Sequence, residues 1–217
     1  MKHLANFRTV AALVALSALL PSASTQAATL GVNTLTCLRP SGVFGNNDDH
    51  AYLMVAVSKS DGTSQGYRLP GPMQYWPANA TFGRSFLPAV TLWSEPMFPG
   101  ERVLVAVSLM DDHGAGPYVM QQQADGIARM GAQVLASGTP DRTFYARFAA
   151  QFADHTGSDN LTGQFVAEIT MNAMGVVEAT FFPTASAHGA NSGPLLGDFK
   201  IDGNHSDYRV SVGVNPN

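Results

Sequence analysis

The chain of 217 residues holds one cysteine, Cys37, so no disulfide within the chain can brace it. Cys37 lies in the apolar run Leu35 to Leu38, where a thiol is expected to be buried and inert. Lysine is nearly absent, at Lys2, Lys59 and Lys200 only, and glutamate is confined to Glu95, Glu101, Glu168 and Glu178. Neither a Gly-x-Ser-x-Gly nucleophile elbow nor a His-Glu-x-x-His metal helix occurs, which removes the sequence signatures of two large hydrolase classes. A long apolar run is missing too. The stretch Val10 to Leu20 is far shorter than the roughly 20 residues a membrane-spanning helix requires.

That stretch has a different meaning. Lys2 and Arg8 precede it, Pro21 and small polar residues follow, and Thr25-Gln26-Ala27 makes a small-x-small cleavage site. Residues 1–27 read as an export signal and 28–217 as one mature domain, periplasmic or secreted, large enough to bury a core without staples. The full chain carries 12 basic and 16 acidic residues, and the signal takes two of the basic ones with it. The mature balance is therefore 10 − 16 = −6. Phosphate backbones need clustered Lys and Arg, so nucleic acid is excluded as a partner class.

Most of the mature part alternates with the period of a strand. Leu53, Val55 and Val57 interleave with Met54, Ala56 and Ser58, and Val103 to Leu109 make a similar stripe. Phe165, Ala167, Ile169 and Met171 form a third, and Tyr208, Val210, Val212 and Val214 a fourth. Asp61-Gly62 is a hairpin turn, and Asp202 through Asp207 makes another turn. Pro70 to Asn79 reads as an ordered loop, and Pro183 to Gly197 as a mobile loop of small residues. Short strands separated by polar turns predict a mainly β fold, an antiparallel β-sandwich.

One region, 117–153, breaks that period. Met120, Ala124, Ile127, Gly131 and Val134 recur at helical spacing, and Gly138 with Pro140 stops the helix. Asp141 can cap a second helix, with Phe144, Phe148 and Phe152 along one side. The expectation is a helical hairpin inserted between two strands, its apolar stripe packed on the sandwich; the alternative is a lid or a membrane-inserting hairpin.

Acids gather where strands begin and end. Asp48 and Asp49 precede one strand, Asp111 and Asp112 follow another, and Asp159 with Asn160 precedes a third. Calcium takes six to eight oxygens from carboxylates, carbonyls and water, so these loops can serve as its ligands if they share one end of the sandwich. The same residues serve equally as solvated loop acids. His50, His113 and His155 each follow an Asp, and His205 lies two residues before Asp207, which keeps a transition-metal site open.

The order of these features resembles the C-two domain, the calcium-dependent phospholipid-binding β-sandwich. Asp49 to Tyr52 stands where that family has Asp-Pro-Tyr, with one extra residue and no Pro. Asp111 and Asp112 stand at its Asp-x-Asp, and Asn160 through Gly163 at its Asp-x-x-Gly. The resemblance implies a sandwich with calcium held by Asp48, Asp49, Asp111, Asp112, Asp159 and Asn160. The acid expected early in the first loop is replaced by Gly45, Asn46 and Asn47, and the third loop is split by the helical region. The chain is also similar to exported bacterial proteins with acidic loops and a helical insertion, a likeness that implies no function. Taken together, the sequence predicts an exported, calcium-binding β-sandwich interaction module whose partner is a protein, a glycan or a lipid surface. Two alternatives stand beside it, a metal-dependent hydrolase using the Asp and His loops and a membrane-active protein working through the hairpin.

Overall fold

A computed structural model describes residues 25–39, 50–77, 89–112, 114, 116–138, 144, 147–148, 160–183, 187–202 and 206–217. Strands β1 (Gln26–Arg39), β2 (His50–Lys59), β3 (Ser64–Leu69), β4 (Trp76–Pro77), β5 (Val90–Met97) and β6 (Arg102–Asp111) come first. Helix α1 (Pro117–Ser137) follows, then β7 (Asn160–Met171), β8 (Val177–Pro183), β9 (Ala187–Gly193), β10 (Leu196–Asp202) and β11 (Asp207–Pro216). The first sheet has the order β5-β1-β11-β10-β9 and the second β3-β2-β6-β7-β8, with β4 paired to β2. All pairings are antiparallel.

The period-two stripes meet between the sheets. Leu53, Val55 and Val57 of β2, Val103 to Leu109 at alternate positions of β6, and Phe165 to Ile169 of β7 face Leu30, Val32 and Leu35 of β1 and Val210 to Val214 of β11. Each large aliphatic or aromatic side chain removed from water there contributes about 1.5–3 kcal/mol before the entropy of ordering it is counted. Cys37 lies in the same layer, buried as expected. Gly62 turns the β2–β3 hairpin with φ 89°, a left-handed conformation that glycine adopts without steric cost.

The alternation of β2 hides a second core. Ala51 to Ser58 are buried without a break, because Tyr52, Met54 and Ala56 on the other face lie under α1. Met120, Ile127, Ala128 and Leu135 of the helix pack there with Leu104, Ala106, Met110 and Val166 of the sheet. Phe148, stacked on Phe144 with ring centroids 5.5 Å apart, closes the same cluster. The molecule is thus three layers deep on one side, and the helical stripe packs on the sandwich. The rest of the expected second helix lies outside the described residues. Pro117 opens α1, as its fixed φ and missing N–H allow at a first helical position.

One expectation is corrected. Pro183 to Gly197 is not simply a loop: Ala187 to Gly193 pairs with β10 as an edge strand. Its small residues offer no apolar stripe, so only the hydrogen-bonding partner reveals it. The turn expected between Asp202 and Asp207 does join two paired strands, β10 and β11.

Candidate functional site: the acidic ends of three strands

Antiparallel order brings the start of β2, the end of β6 and the start of β7 to one end of the second sheet. Asp111 is the register partner of Ala51 on one side and of Asn160 on the other. The Asp112 N–H donates to the His50 carbonyl at 3.1 Å. Strand ends that the sequence separates by about a hundred residues are therefore neighbours at Asp111.

The two adjacent acids do different work. Asp111 is buried, and its Oδ1 accepts the His50 backbone N–H at 2.9 Å, fixing where β2 begins. Asp112 turns the other way. Its Oδ1 accepts the Gly114 N–H at 2.9 Å, an Asx turn that redirects the chain toward α1, and its Oδ2 lies 2.6 Å from Arg68 Nη2. Burial pushes the Asp112 carboxyl pKa up, but the Arg68 hydrogen bond, the Gly114 N–H and the positive charge of Arg68 outweigh that, so the net shift is downward.

Arg68 is the centre of this end. Its side chain is 2% exposed. The same Nη2 donates to the Gln74 carbonyl at 3.0 Å, and the guanidinium carbon sits 3.7 Å from the centroid of the Tyr52 ring. A buried cation needs such partners, because the desolvation it suffers is repaid only by good geometry and by attraction to a ring face. Through Arg68 the segment Pro70 to Tyr75 is tied to the end of β6. The His50 ring packs on Tyr75 with centroids 3.9 Å apart at 33°, leaving Tyr75 and Met73 at the surface.

Of the six candidate ligands, Asp111, Asp112 and Asn160 are brought together by the backbone, while Asp48, Asp49 and Asp159 lie outside the described residues. Two of them are one position away in the chain from His50 and Asn160, which the sheet does place beside Asp111. His113, His155 and His205 also lie outside. Among the described residues no group of three or more His, Cys, Asp or Glu side chains is placed to hold a metal ion. The sequence reading missed Arg68, Tyr52 and Gln74. The available signal was a single cation alternating with Tyr67 and Leu69 in a short strand, which puts Arg68 on the face that α1 covers.

Elsewhere among the described residues several carboxylates are ion-paired. Lys59 Nζ lies 2.9 Å from Glu95 and 3.1 Å from Glu101, and Arg102 lies 2.8 Å from Glu168. Arg39 with Asp207 and Arg209 with Asp198 bridge neighbouring strands of the first sheet. Compared with protein-family models, curated proteins and solved structures, the chain matches none of them.

Proposed function

We propose that the chain is an exported β-sandwich binding module, similar to a C-two domain, that takes calcium at the acidic strand ends and thereby orders its loops for contact with a protein, glycan or lipid surface. One observation carries this reading: Asp111 pairs with Asn160 in register while Asp112 hydrogen-bonds back to His50, so all three acid-bearing segments join the sheet side by side. Asp48, Asp49, Asp111, Asp112 and Asp159 would supply carboxylates and Asn160 an amide oxygen, the hard-oxygen set that calcium takes. The mature charge of −6 favours a cation over an anionic ligand.

The reading is tested by melting the mature chain in calcium and in chelator, with magnesium as a control. A ligand present at a hundredfold excess over its Kd adds about 2.7 kcal/mol to the folded state. For a domain of this size that raises the melting temperature by roughly 5–10 °C. Asp49→Asn with Asp159→Asn should abolish the shift. Identical melts in calcium and chelator overturn the proposal.

A further inference from the structure

We propose that closure of the first sheet ends processing of the chain: the Ala27–Ala28 bond, where the sequence places the cut, lies inside a paired strand once the protein has folded, so the leader is removed before β1 docks or not at all. The inference rests on the export reading of residues 1–27. Strand β1 begins at Gln26, on the leader side of the cut. Gln26, Ala27 and Ala28 are the register partners of Met97, Pro96 and Glu95 in β5, and Ala28 is also that of Pro216 in β11. The Ala28 side chain is 0% exposed, in the layer between the sheets. The carbonyl oxygen of the bond to be cut, that of Ala27, accepts the Asn217 N–H at 2.7 Å. From Thr25 to Ala28, Thr25 alone is exposed.

A peptidase demands the opposite arrangement. The step is hydrolysis: the bond between the Ala27 carbonyl carbon and the Ala28 nitrogen breaks, and water gives its hydroxyl to the carbon and its other proton to the nitrogen. For this the enzyme takes the segment as an extended strand, seats the small side chains of Thr25 and Ala27 in pockets, and aims donors at the Ala27 oxygen as charge develops there. In the folded chain that oxygen already has a donor, β1 has a neighbouring strand on each side, and the residue after the bond is buried. Cleavage then requires β1 to peel from β5 and β11, and its rate falls with the population of that open form. Ala27 and Asn217 are separated by almost the whole length of the chain, so the bond stays accessible until nearly all of it has emerged.

The experiment gives the full-length chain, unfolded in urea, to a purified leader peptidase of small-x-small specificity in mild detergent. In one arm the chain is diluted directly into the enzyme; in the other the enzyme is added after folding, which a cooperative melt verifies. Mass spectrometry reads a product that begins at Ala28. The expected result is cleavage during folding and cleavage at least about a hundredfold slower afterwards. Asn217→Pro, which lacks the N–H, should be cut roughly three- to tenfold faster than wild type once folded. Similar rates in the two arms overturn the inference and leave the export reading standing, as does a chain whose leader prevents folding altogether. Asn217→Pro as resistant as wild type overturns the contribution assigned to Asn217. No product beginning at Ala28 in either arm sinks the inference and the export reading together.

Discussion

The backbone N–H of Gly66 in β3 donates to the Asp125 carboxylate of α1 at 2.7 Å, so an edge strand of the sheet is capped by a side chain of the helix lying over it. The approach is so close that a Cβ on Gly66 would collide with the backbone of Ala124 and Asp125. An open edge is a template for pairing with other chains, and here the helix blocks it.

Gly66→Ala should therefore lift α1 from the sheet. Overpacking of this kind costs about 1–3 kcal/mol. The check is a urea titration in which the midpoint falls with the slope unchanged; a midpoint equal to wild type would mean that the helix moves aside freely.

Lys59 and Arg209 should respond differently to removal. Lys59 serves Glu95 and Glu101, and the Glu101 side chain is only 9% exposed, so Lys59→Met leaves a nearly buried carboxylate without its cation at a cost of about 1–3 kcal/mol. Arg209 is 63% exposed beside Asp198. Arg209→Ala should change stability by less than about 1 kcal/mol. Equal losses in the two variants, measured by denaturant, would contradict the distinction drawn from burial.

Acid sensitivity should centre partly on Asp112. Its folded pKa lies below the ordinary value of 3.8, so the unfolded chain takes up the proton at higher pH than the folded one. The contribution is complete above that ordinary value and fades as pH falls through the lower, folded pKa. Stability measured from neutral pH down to that range should drop less steeply in Asp112→Asn than in wild type. Parallel curves would show that the Arg68 contact does not bias this proton.

Cys37 should be silent toward thiol reagents. It is 0% exposed in the layer between the sheets. Labelling under native conditions should be negligible over hours and complete once denaturant is added, and rapid native labelling would require that the sandwich open locally there.

The sandwich was legible because its strands alternate cleanly: Leu53, Val55 and Val57 of β2 and Tyr208, Val210 and Val212 of β11 all face the shared core. What alternation could not convey is that Tyr52, Met54 and Ala56 are equally buried, since their cover comes from α1, some seventy residues further on. Strand β9 escaped notice because Ala, Gly, Asn and Ser give no stripe. At the candidate site the paired acids stood out by composition, and the sheet brings Asp111, Asp112 and Asn160 to one end. Arg68 did not stand out, for a physical reason: a cation in a short strand looks solvated until another element is known to roof it. The division of labour between Asp111, which pins β2, and Asp112, which holds Arg68, is set by side-chain direction at the strand end and has no counterpart in the residue pattern.

The pairing of β1 with β11 has a kinetic corollary. The central ladder of the first sheet is closed by segments from opposite ends of the described chain, so a ribosome must deliver β11 before β1 can find its long-term neighbour. Until then one hydrogen-bonding edge of β1 is left waiting. Contacts of such large sequence separation are slow to form. Nascent chains stopped short of Asp207 should accordingly be held by chaperones or lost to proteolysis, however well the hairpins between them have already assembled.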